Sequence, residues 1–370
     1  MKFGVGQPVL RIEDSRLITG QGRYTDDIEP GTGLGVAFLR APLAHARLLS
    51  VDTSAAAAMD GVLLVATQAD LDADKVGEIQ CQHRLTNEDG EAMTMVSHPP
   101  MVRDVNRTAG DIVAVVIAET DSIAQDAMEL IDARYDSMPA VTDVYAAIED
   151  GAPQLYDEYP RNIAFNWVEG DHVSTNAAIA GAEAAGMELF DIDVVNNRVI
   201  INSMETRPMI AGPGEEEGSL DIWCGTQGPV GVAEQIADAL GMARDLVRVR
   251  TGDVGGSFGF KIFLHPEQLI IAWAARRLGR RIRWQQARSD SFVSACRYGS
   301  RQHGIVAVEF QHLHSDPVRI AHAHHELCHS RCQPPGAWHH DEHSGGRCLS
   351  RRRPARGELR HGAADGPYCR

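Results

Sequence analysis

The feature that most limits the fold is the alternation, along the chain, of short β-branched runs and longer segments with helical periodicity. Ile112–Ala118 (IVAVVIA) is a β-branched apolar run. It is too short for a helix and therefore predicts a strand. A helix is predicted next, with Asp121 as its N-cap and an end at about Tyr135. Its apolar face is predicted to contain Ile123, Ala127, Leu130 and Ile131. This alternation predicts a mixed α/β fold.

The same alternation continues on both sides of this segment. Further helices are predicted at Gly231–Leu240, which Gly241 ends, and at Pro266–Leu278, which Gly279 ends. Gly151–Arg161 is rich in Gly, Pro and Tyr and is the predicted boundary between two domains. The other predicted strands are Leu34–Leu39, Gly61–Ala66, Val194–Asn202, Ser219–Trp223, Leu246–Arg250 and Ile282–Trp284.

The charge of the chain is divided unequally along its length. Residues 1–300 contain 25 Lys and Arg against 44 Asp and Glu, whereas residues 301–370 contain 10 Arg, no Lys and 7 acids. A body this acidic repels phosphate backbones and anionic lipid, so we expect no nucleic-acid partner. No apolar run approaches the ~20 residues of a membrane span. Because no apolar signal region follows the N-terminus either, we expect a cytoplasmic protein.

The last 70 residues differ in kind from the body. Eleven of the 16 His lie there, and no period of 3.6 or 2 follows about Gln311. Cys328 and Cys332, followed by His339 and His343, partly fit the spacing of a Cys2His2 zinc site, but only six residues separate the two pairs. The alternative is a coding sequence read out of frame from about residues 300–315, which we favour. We therefore expect an atypical, unstructured tail over residues 311–370.

One glycine-rich segment is a candidate ligand-binding loop. Gly255, Gly256 and Gly259 lie in DVGGSFGFK, which joins a predicted strand to a predicted helix. Glycines there permit positive φ and let backbone N–H groups approach a ligand, typically an anion. The segment matches neither a P-loop nor GxGxxG. By itself it fits a tight structural turn equally well.

A second polar turn, Gly225–Pro229 (GTQGP), stands just before a predicted helix. The side chain of Gln227 offers both a donor and an acceptor to a pocket. Taken alone, this turn fits an ordinary strand-to-helix loop slightly better.

The order of these segments resembles the molybdenum-binding large subunit of the xanthine dehydrogenase, aldehyde oxidase and carbon monoxide dehydrogenase family. The resemblance covers about residues 6–300. Each segment alone is weak evidence for the family. The match is specific because all the segments occur in the order in which the family has them. The matching segments are Arg11–Ile28, Phe38–Asp52, Val102–Thr120, Ala127–Asp143, Val194–Pro208, Gly225–Pro229 and Asp253–Glu267.

The resemblance implies a domain order. Residues 1–150 would form the family's N-terminal α/β hammerhead-like domain, and residues 160–310 the first part of a molybdopterin-binding domain. Gln227 matches the glutamine that reaches toward the molybdenum oxo ligand. Gly255, Gly256, Phe258 and Gly259 match the loop that packs against the pterin and metal centre. Met204, Glu205 and Arg207 match a structural motif in which an Arg–Glu pair braces the site.

The resemblance also implies cofactors and partners. The cofactor would be molybdopterin, as the cytosine dinucleotide, with molybdenum. FAD and 2Fe–2S clusters would be carried by a FAD-binding medium subunit and a 2Fe–2S small subunit. Family members oxidise a small-molecule substrate, an aldehyde, an N-heterocycle or carbon monoxide, with water as the source of oxygen. Electrons then pass to iron–sulfur and flavin subunits.

Several positions depart from the family pattern. Val230 and Ala233 stand where many relatives carry His and Arg, and Ile262 stands where purine-oxidising members have Glu, which disfavours xanthine. The family's catalytic Glu lies beyond the resemblance, so the catalytic residues are unknown and no metal ligand is predicted. We therefore expect the chain alone to be inactive. Two other functions stay open: an inactive remnant or docking module, and a metal-binding protein acting through its His/Cys tail.

Overall fold

The computed structural model describes residues 10–82, 84–167, 170–187, 189 and 201–286, with the backbone of strands at 194–195, 307–312 and 316–321. The helices are α1 Asp14–Leu17, α2 Ser54–Ala57, α3 Gln68–Ala73, α4 Asp121–Glu129, α5 Val144–Ala147, α6 His172–Ala184, α7 Pro229–Leu240 and α8 Pro266–Leu278. The strands are β1 Gly35–Arg40, β2 Ala46–Asp52, β3 Val62–Thr67, β4 Val105–Asn106, β5 Ile112–Ala118, β6 Asp132–Ser137, β7 Val194–Val195, β8 Met209–Pro213, β9 Leu220–Cys224, β10 Val247–Arg250, β11 Ile282–Trp284, β12 Ala307–His312 and β13 Asp316–Ala321. This order confirms the mixed α/β prediction.

Strand β5 is the centre of the N-terminal half. It lies between β1 and β3 in a three-stranded antiparallel sheet. Every residue of β5 is buried because both faces of this sheet are covered. Val115 and Ile117 enter the main core, whereas Ala114 and Ala118 pack with Ala124 and other small residues of helix α4.

Helix α4 is shorter than predicted. It begins after Thr120, whose Oγ1 accepts a hydrogen bond from the N–H of Ile123 at 3.2 Å, and it ends at Glu129. The predicted continuation to about Tyr135 is wrong, because Asp132–Ser137 pairs antiparallel with β2. Ala133 and Tyr135 alternate toward the apolar cluster beneath β2. The free edge of β2 thus overrides the local helical period.

The second half is built on a four-stranded sheet in the order β10-β9-β8-β11. Strands β9 and β10 are parallel, whereas β8 is antiparallel to both β9 and β11. Helices α7 and α8 pack on this sheet and fill the main core with Val232, Ile236 and Leu269. Gly241 and Gly279 end these helices with φ of +59° each, as the sequence predicts.

The two halves share apolar core and polar contacts. Val36 and Ile117 of the first sheet lie in the same cluster as Leu269 and Ile270 of α8. Leu34 and Ile282 form an isolated parallel bridge just before β1. The predicted domain limits of 1–150 and 160–310 stay a prediction.

The last described segments are strands. Strand β13 pairs antiparallel with β12 and parallel with β7. Regular structure therefore reaches residue 321, beyond residue 311, where the lack of periodicity predicts none. The rest of the tail, including the Cys/His spacing, and most of the predicted strand Val194–Asn202 lie outside the described residues. None of the helices in the described part is long and apolar enough to cross a membrane.

Candidate functional site

Four chain segments meet at one edge of the second sheet. Because β9 and β10 are parallel, their carboxyl ends open on the same edge, which is where ligands bind in open α/β sheets. The antiparallel register pairs Met209, at the start of β8, with Cys224 and with Trp284, at the ends of β9 and β11. The segments before β8 and after β9, β10 and β11 therefore converge there.

Gln227 joins two of these segments. Its Oε1 accepts hydrogen bonds from the Ser257 hydroxyl and, at 3.2 Å, from the N–H of Gly259. Its own N–H donates to the carbonyl of Lys261 at 3.0 Å, and Thr226 Oγ1 donates to the same carbonyl at 2.7 Å. The Nε2 amino group of Gln227 makes no hydrogen bond to the described residues. The side chain is exposed, so this donor is available to a ligand.

The glycine loop has the backbone conformation that its sequence predicts. Gly256 and Gly259 have φ of +96° and +88°, and Phe258 between them has φ of +53°. A non-glycine residue in that region is strained, which is common where a loop is shaped for a ligand. Phe258 is 76% exposed. The structure thus brings Gln227 into contact with Gly259 and its loop, and leaves an aromatic side chain at its rim.

A buried ion pair supports both loops. Glu205 Oε2 accepts hydrogen bonds from the N–H of Gly255 at 2.9 Å and from Lys261 Nζ at 2.8 Å. The Arg–Glu pair that the resemblance implies is present, with Glu267 as a partner of Arg207 at 3.5 Å. Helix α8 carries this carboxylate to the Arg207 side of the sheet edge.

Arg207 belongs to a second buried charged group. Its side chain is 1% exposed, as is that of Glu267. Glu267 Oε1 also accepts a hydrogen bond from Arg40 Nη1 at 3.0 Å. The Arg207 guanidinium lies over the rings of Phe260 and Trp284, with 5.0 and 5.9 Å to their centroids. These contacts distribute its charge over acceptors and aromatic faces.

Burial and charge shift the pKa of several groups here. Burial lowers the pKa of Lys261, and Glu205 opposes that shift. Burial, and then the charge of Glu205, raises the pKa of the Cys224 thiol to about 12, so this thiol stays protonated and unreactive. The Arg16 guanidinium and the N–H of Arg23 hold the pKa of Asp253 at about 2.

The residues at this edge fit the molybdopterin group that the resemblance implies. The Ser203 hydroxyl is buried and has no hydrogen-bond partner among the described residues. It lies beside the glycine loop, since a Cβ at Gly256 would be 3.4 Å from Ser203 Cβ. A free amide donor, an unsatisfied hydroxyl and close backbone access suit a ligand rich in polar atoms. The described residues contain no cluster of three metal-binding side chains, and the family's cofactor carries its own metal.

Sequence reasoning missed three polar residues of this site. Ser257 bridges Gln227 and the N–H of Lys261 at 3.0 Å. Lys261 supplies the buried charge, and Ser203 supplies the unsatisfied hydroxyl. Lys261 carried one available signal, because it is one of only three lysines in the chain and directly follows the glycine loop.

Two family models match the chain. Residues 19–139 match the a/b hammerhead domain of aldehyde oxidase and xanthine dehydrogenase, and residues 155–309 match the molybdopterin cofactor-binding domain.

Curated relatives match over most of the chain. The large subunit of nicotine 6-hydroxylase from Paenarthrobacter nicotinovorans is 33% identical over 81% of this chain. The large chain of carbon monoxide dehydrogenase from Afipia carboxidovorans is 29% identical over 78% of it. Each alignment spans 35% of the relative's own length. The chain therefore matches about a third of these proteins.

A solved structure also resembles this chain over most of its length. Quinoline 2-oxidoreductase from Pseudomonas putida 86 superposes with a TM-score of 0.67 at 34% identity, over 79% of this chain and 36% of that one. The hammerhead-then-cofactor-domain order of the predicted fold is thereby confirmed.

Proposed function

Because this chain belongs to the aldehyde oxidase and xanthine dehydrogenase family of molybdenum-binding large subunits, we propose that its second half binds part of a molybdopterin–molybdenum cofactor. The whole protein would oxidise a small molecule with water as the oxygen source. The observation that carries this proposal is the anchored Gln227, whose acceptor is used inside the glycine loop while its Nε2 donor is available.

The residues of this chain would hold and orient the group. Gln227 Nε2 would donate to an oxo oxygen, and the Ser203 hydroxyl would hydrogen-bond a polar edge of the pterin. Gly255, Gly256 and Gly259 let the backbone approach, and Phe258 would cover the group and exclude water from one side. The bound molybdenum centre would supply the redox chemistry. The general base would lie outside the described residues.

We propose partners of the same kind as those of the family. The cofactor would be the cytosine dinucleotide form, and electrons would leave through 2Fe–2S clusters and FAD on two further subunits. The relatives are themselves termed a large subunit and a large chain, which supports an assembly of several chains. The cytoplasmic location stays a prediction.

The substrate class that we favour is an N-heterocycle. Two similar proteins, at 33% and 34% identity, are named for nicotine 6-hydroxylation and quinoline 2-oxidoreduction. The segments that meet at the sheet edge carry four exposed large apolar side chains, Met204, Val230, Phe258 and Ile262, beside the exposed polar Gln227 and Gln285. Such a rim suits a neutral planar ring better than an anionic substrate. An aldehyde or carbon monoxide is the alternative.

A chimera of this chain with a relative tests the cofactor proposal. Residues 19–309 of this chain would replace the matching segment of the nicotine 6-hydroxylase large subunit, produced with its partner subunits. Molybdenum per protein and the fluorescence of the oxidised pterin are then measured. We expect both to be retained, and to fall when Gln227→Ala is added. A folded chimera that holds neither molybdenum nor pterin would overturn the proposal.

A further inference from the structure

Glu205 makes contacts to three separate parts of the chain. Its Oε2 accepts from the N–H of Gly255 at 2.9 Å and from Lys261 Nζ at 2.8 Å, and its Oε1 accepts from the N–H of Thr25 at 3.4 Å. The N–H of Glu205 in turn donates to the carbonyl of Gly255 at 3.0 Å. One carboxylate therefore ties the glycine loop to the segment before β1.

The same ion pair reaches the Gln227 turn through Lys261. The carbonyl of Lys261 accepts hydrogen bonds from the N–H of Gln227 and from Thr226 Oγ1. Its side chain is 1% exposed and that of Glu205 is 8% exposed. A displacement of the Lys261 backbone away from Glu205 would therefore shift the carbonyl that accepts from Gln227.

Close packing leaves this arrangement little freedom. A Cβ at Gly255 would lie 2.5 Å from Glu205 Cβ, and a Cβ at Gly225 would lie 2.9 Å from Glu205 Oε2. Both loops thus approach the Glu205 side chain at a distance that only glycine permits. Burial lowers the pKa of Lys261, so the carboxylate is the group that favours its charged form.

We propose that Glu205 is a positioning residue whose carboxylate, paired with Lys261, fixes the glycine loop and the Gln227 turn relative to each other before a cofactor binds. Its relevance to catalysis rests on the proposed function, since these loops are the proposed cofactor contacts. The positioning itself is a property of the cofactor-free chain, so it can be measured apart from any activity.

Amine acetylation followed by peptide mass spectrometry tests the proposal in the intact chain. The lysines of the chain are Lys2, Lys75 and Lys261, and Lys75 is exposed, which makes it the internal standard. In the wild type we expect Lys261 to be protected relative to Lys75. In Glu205→Gln, which keeps the side-chain volume but removes the charge, labelling of Lys261 should rise by about tenfold or more. Equal labelling in a folded Glu205→Gln protein would overturn the proposal.

A matched variant controls for loss of a hydrogen-bonded, ion-paired glutamate elsewhere in the chain. Glu78 accepts hydrogen bonds from Ser97 Oγ and from the N–H of His98, and pairs with Arg103 at 3.5 Å, away from the two loops. Glu78→Gln should leave the Lys261-to-Lys75 ratio unchanged. A rise equal to that of Glu205→Gln would show a general loosening and contradict a role specific to Glu205.

Amide hydrogen exchange separates positioning from general stability. Glu205→Gln should speed exchange at Gly255, Gly259 and Gln227 by about tenfold relative to Ile222 in strand β9. If Glu205→Gln does not fold, Lys261→Met provides the same test from the other partner. If amide exchange at Ile222 speeds up equally, Glu205 contributes only to general stability, and the positioning role is contradicted. A chimera without cofactor but with protected Lys261 would refute the proposed function alone.

Discussion

Arg16 and Asp253 form a two-pronged ion pair across 237 positions of the chain, with both guanidinium Nη atoms donating to the two carboxylate oxygens. The N–H of Arg23 donates to the same carboxylate at 2.8 Å, and the N–H of Asp253 donates to the carbonyl of Arg23 at 3.0 Å. The segment before the first sheet is thereby fixed to the start of the glycine loop.

Asp253→Asn should reveal this contact through its pH dependence. Arg16 holds the pKa of Asp253 at about 2 in the folded chain, below the value of about 3.9 for a free Asp side chain. The carboxylate therefore stabilises the fold fully above pH about 4, and that stabilisation is lost as the pH falls through about 2. We expect the free energy of unfolding of the wild type to exceed that of Asp253→Asn by a constant amount from pH 5 to 8. Urea titrations should show the difference shrinking below pH about 4. A difference that grows in acid would contradict the assignment.

Gln227→Leu should reduce cofactor content and lower the free energy of unfolding by only ~1 kcal/mol, since it removes the oxygen that accepts from Ser257 and Gly259. The exposed side chain contributes hydrogen bonds within the loop but no buried apolar surface. In the chimera we expect molybdenum per protein to fall by about tenfold, which corresponds to the loss of a hydrogen bond of ~1.4 kcal/mol. The exposed Gln82, which donates to the carbonyl of Gln80, provides the control Gln82→Leu. Equal molybdenum content in the Gln227→Leu and Gln82→Leu variants would show that Gln227 does not contact the cofactor.

Ser203→Ala and Ser257→Ala should have opposite effects on stability. The Ser203 hydroxyl is buried without a partner among the described residues, and such a group costs ~1 kcal/mol or more. Its removal should raise the free energy of unfolding of the cofactor-free chain. Ser257 Oγ, by contrast, donates to Gln227 and accepts from Lys261, so its removal should lower stability by ~1 kcal/mol. Equilibrium urea unfolding compares them, and destabilisation by Ser203→Ala would show that this hydroxyl is satisfied.

Glu267→Gln should be the most damaging of these changes. It leaves the buried guanidinium of Arg207 and the nearby Arg40 without the carboxylate between them. Breaking a buried ion pair by removing one partner costs ~3 kcal/mol or more. Thermal or urea unfolding measures the loss, and Arg277→Gln, which removes an exposed pair with Asp74, is the comparison. A smaller effect for Glu267→Gln than for Arg277→Gln would show that Arg207 is satisfied elsewhere.

Elements with purely local signals could be predicted from the sequence. Strand β5 and helix α8 have the predicted bounds because their signals are local. An apolar run marks β5, and a leading proline and a closing glycine mark the two ends of α8. Strand β6 was missed because its conformation depends on the free edge of β2, which a period of 3.6 does not reveal.

The site was predictable only in part for a similar reason. Resemblance identified Gln227 and the glycine loop, and the structure brings Gln227 and Gly259 into contact. The partner of Glu205 is 56 positions away, and the pairing depends on the register that brings the start of β8 beside the ends of β9 and β11. Sequence spacing carries no such information, so neither Lys261 as the partner of Glu205 nor Glu267 as a partner of Arg207 could be identified from the sequence.

The bridge at Leu34 has a consequence for exchange of segments between relatives. Leu34 donates its N–H to the carbonyl of Arg281, and its carbonyl accepts from the N–H of Arg283, each at 2.9 Å. After a recombination crossover near residue 150, residue 34 would come from one parent and residues 281–283 from the other. The two sides of this short ladder would then have different origins, although the crossover lies far from both in sequence. The buried side chains of Leu34 and Ile282 pack in one core cluster there, so hybrid proteins should fold better when both residues come from the same parent.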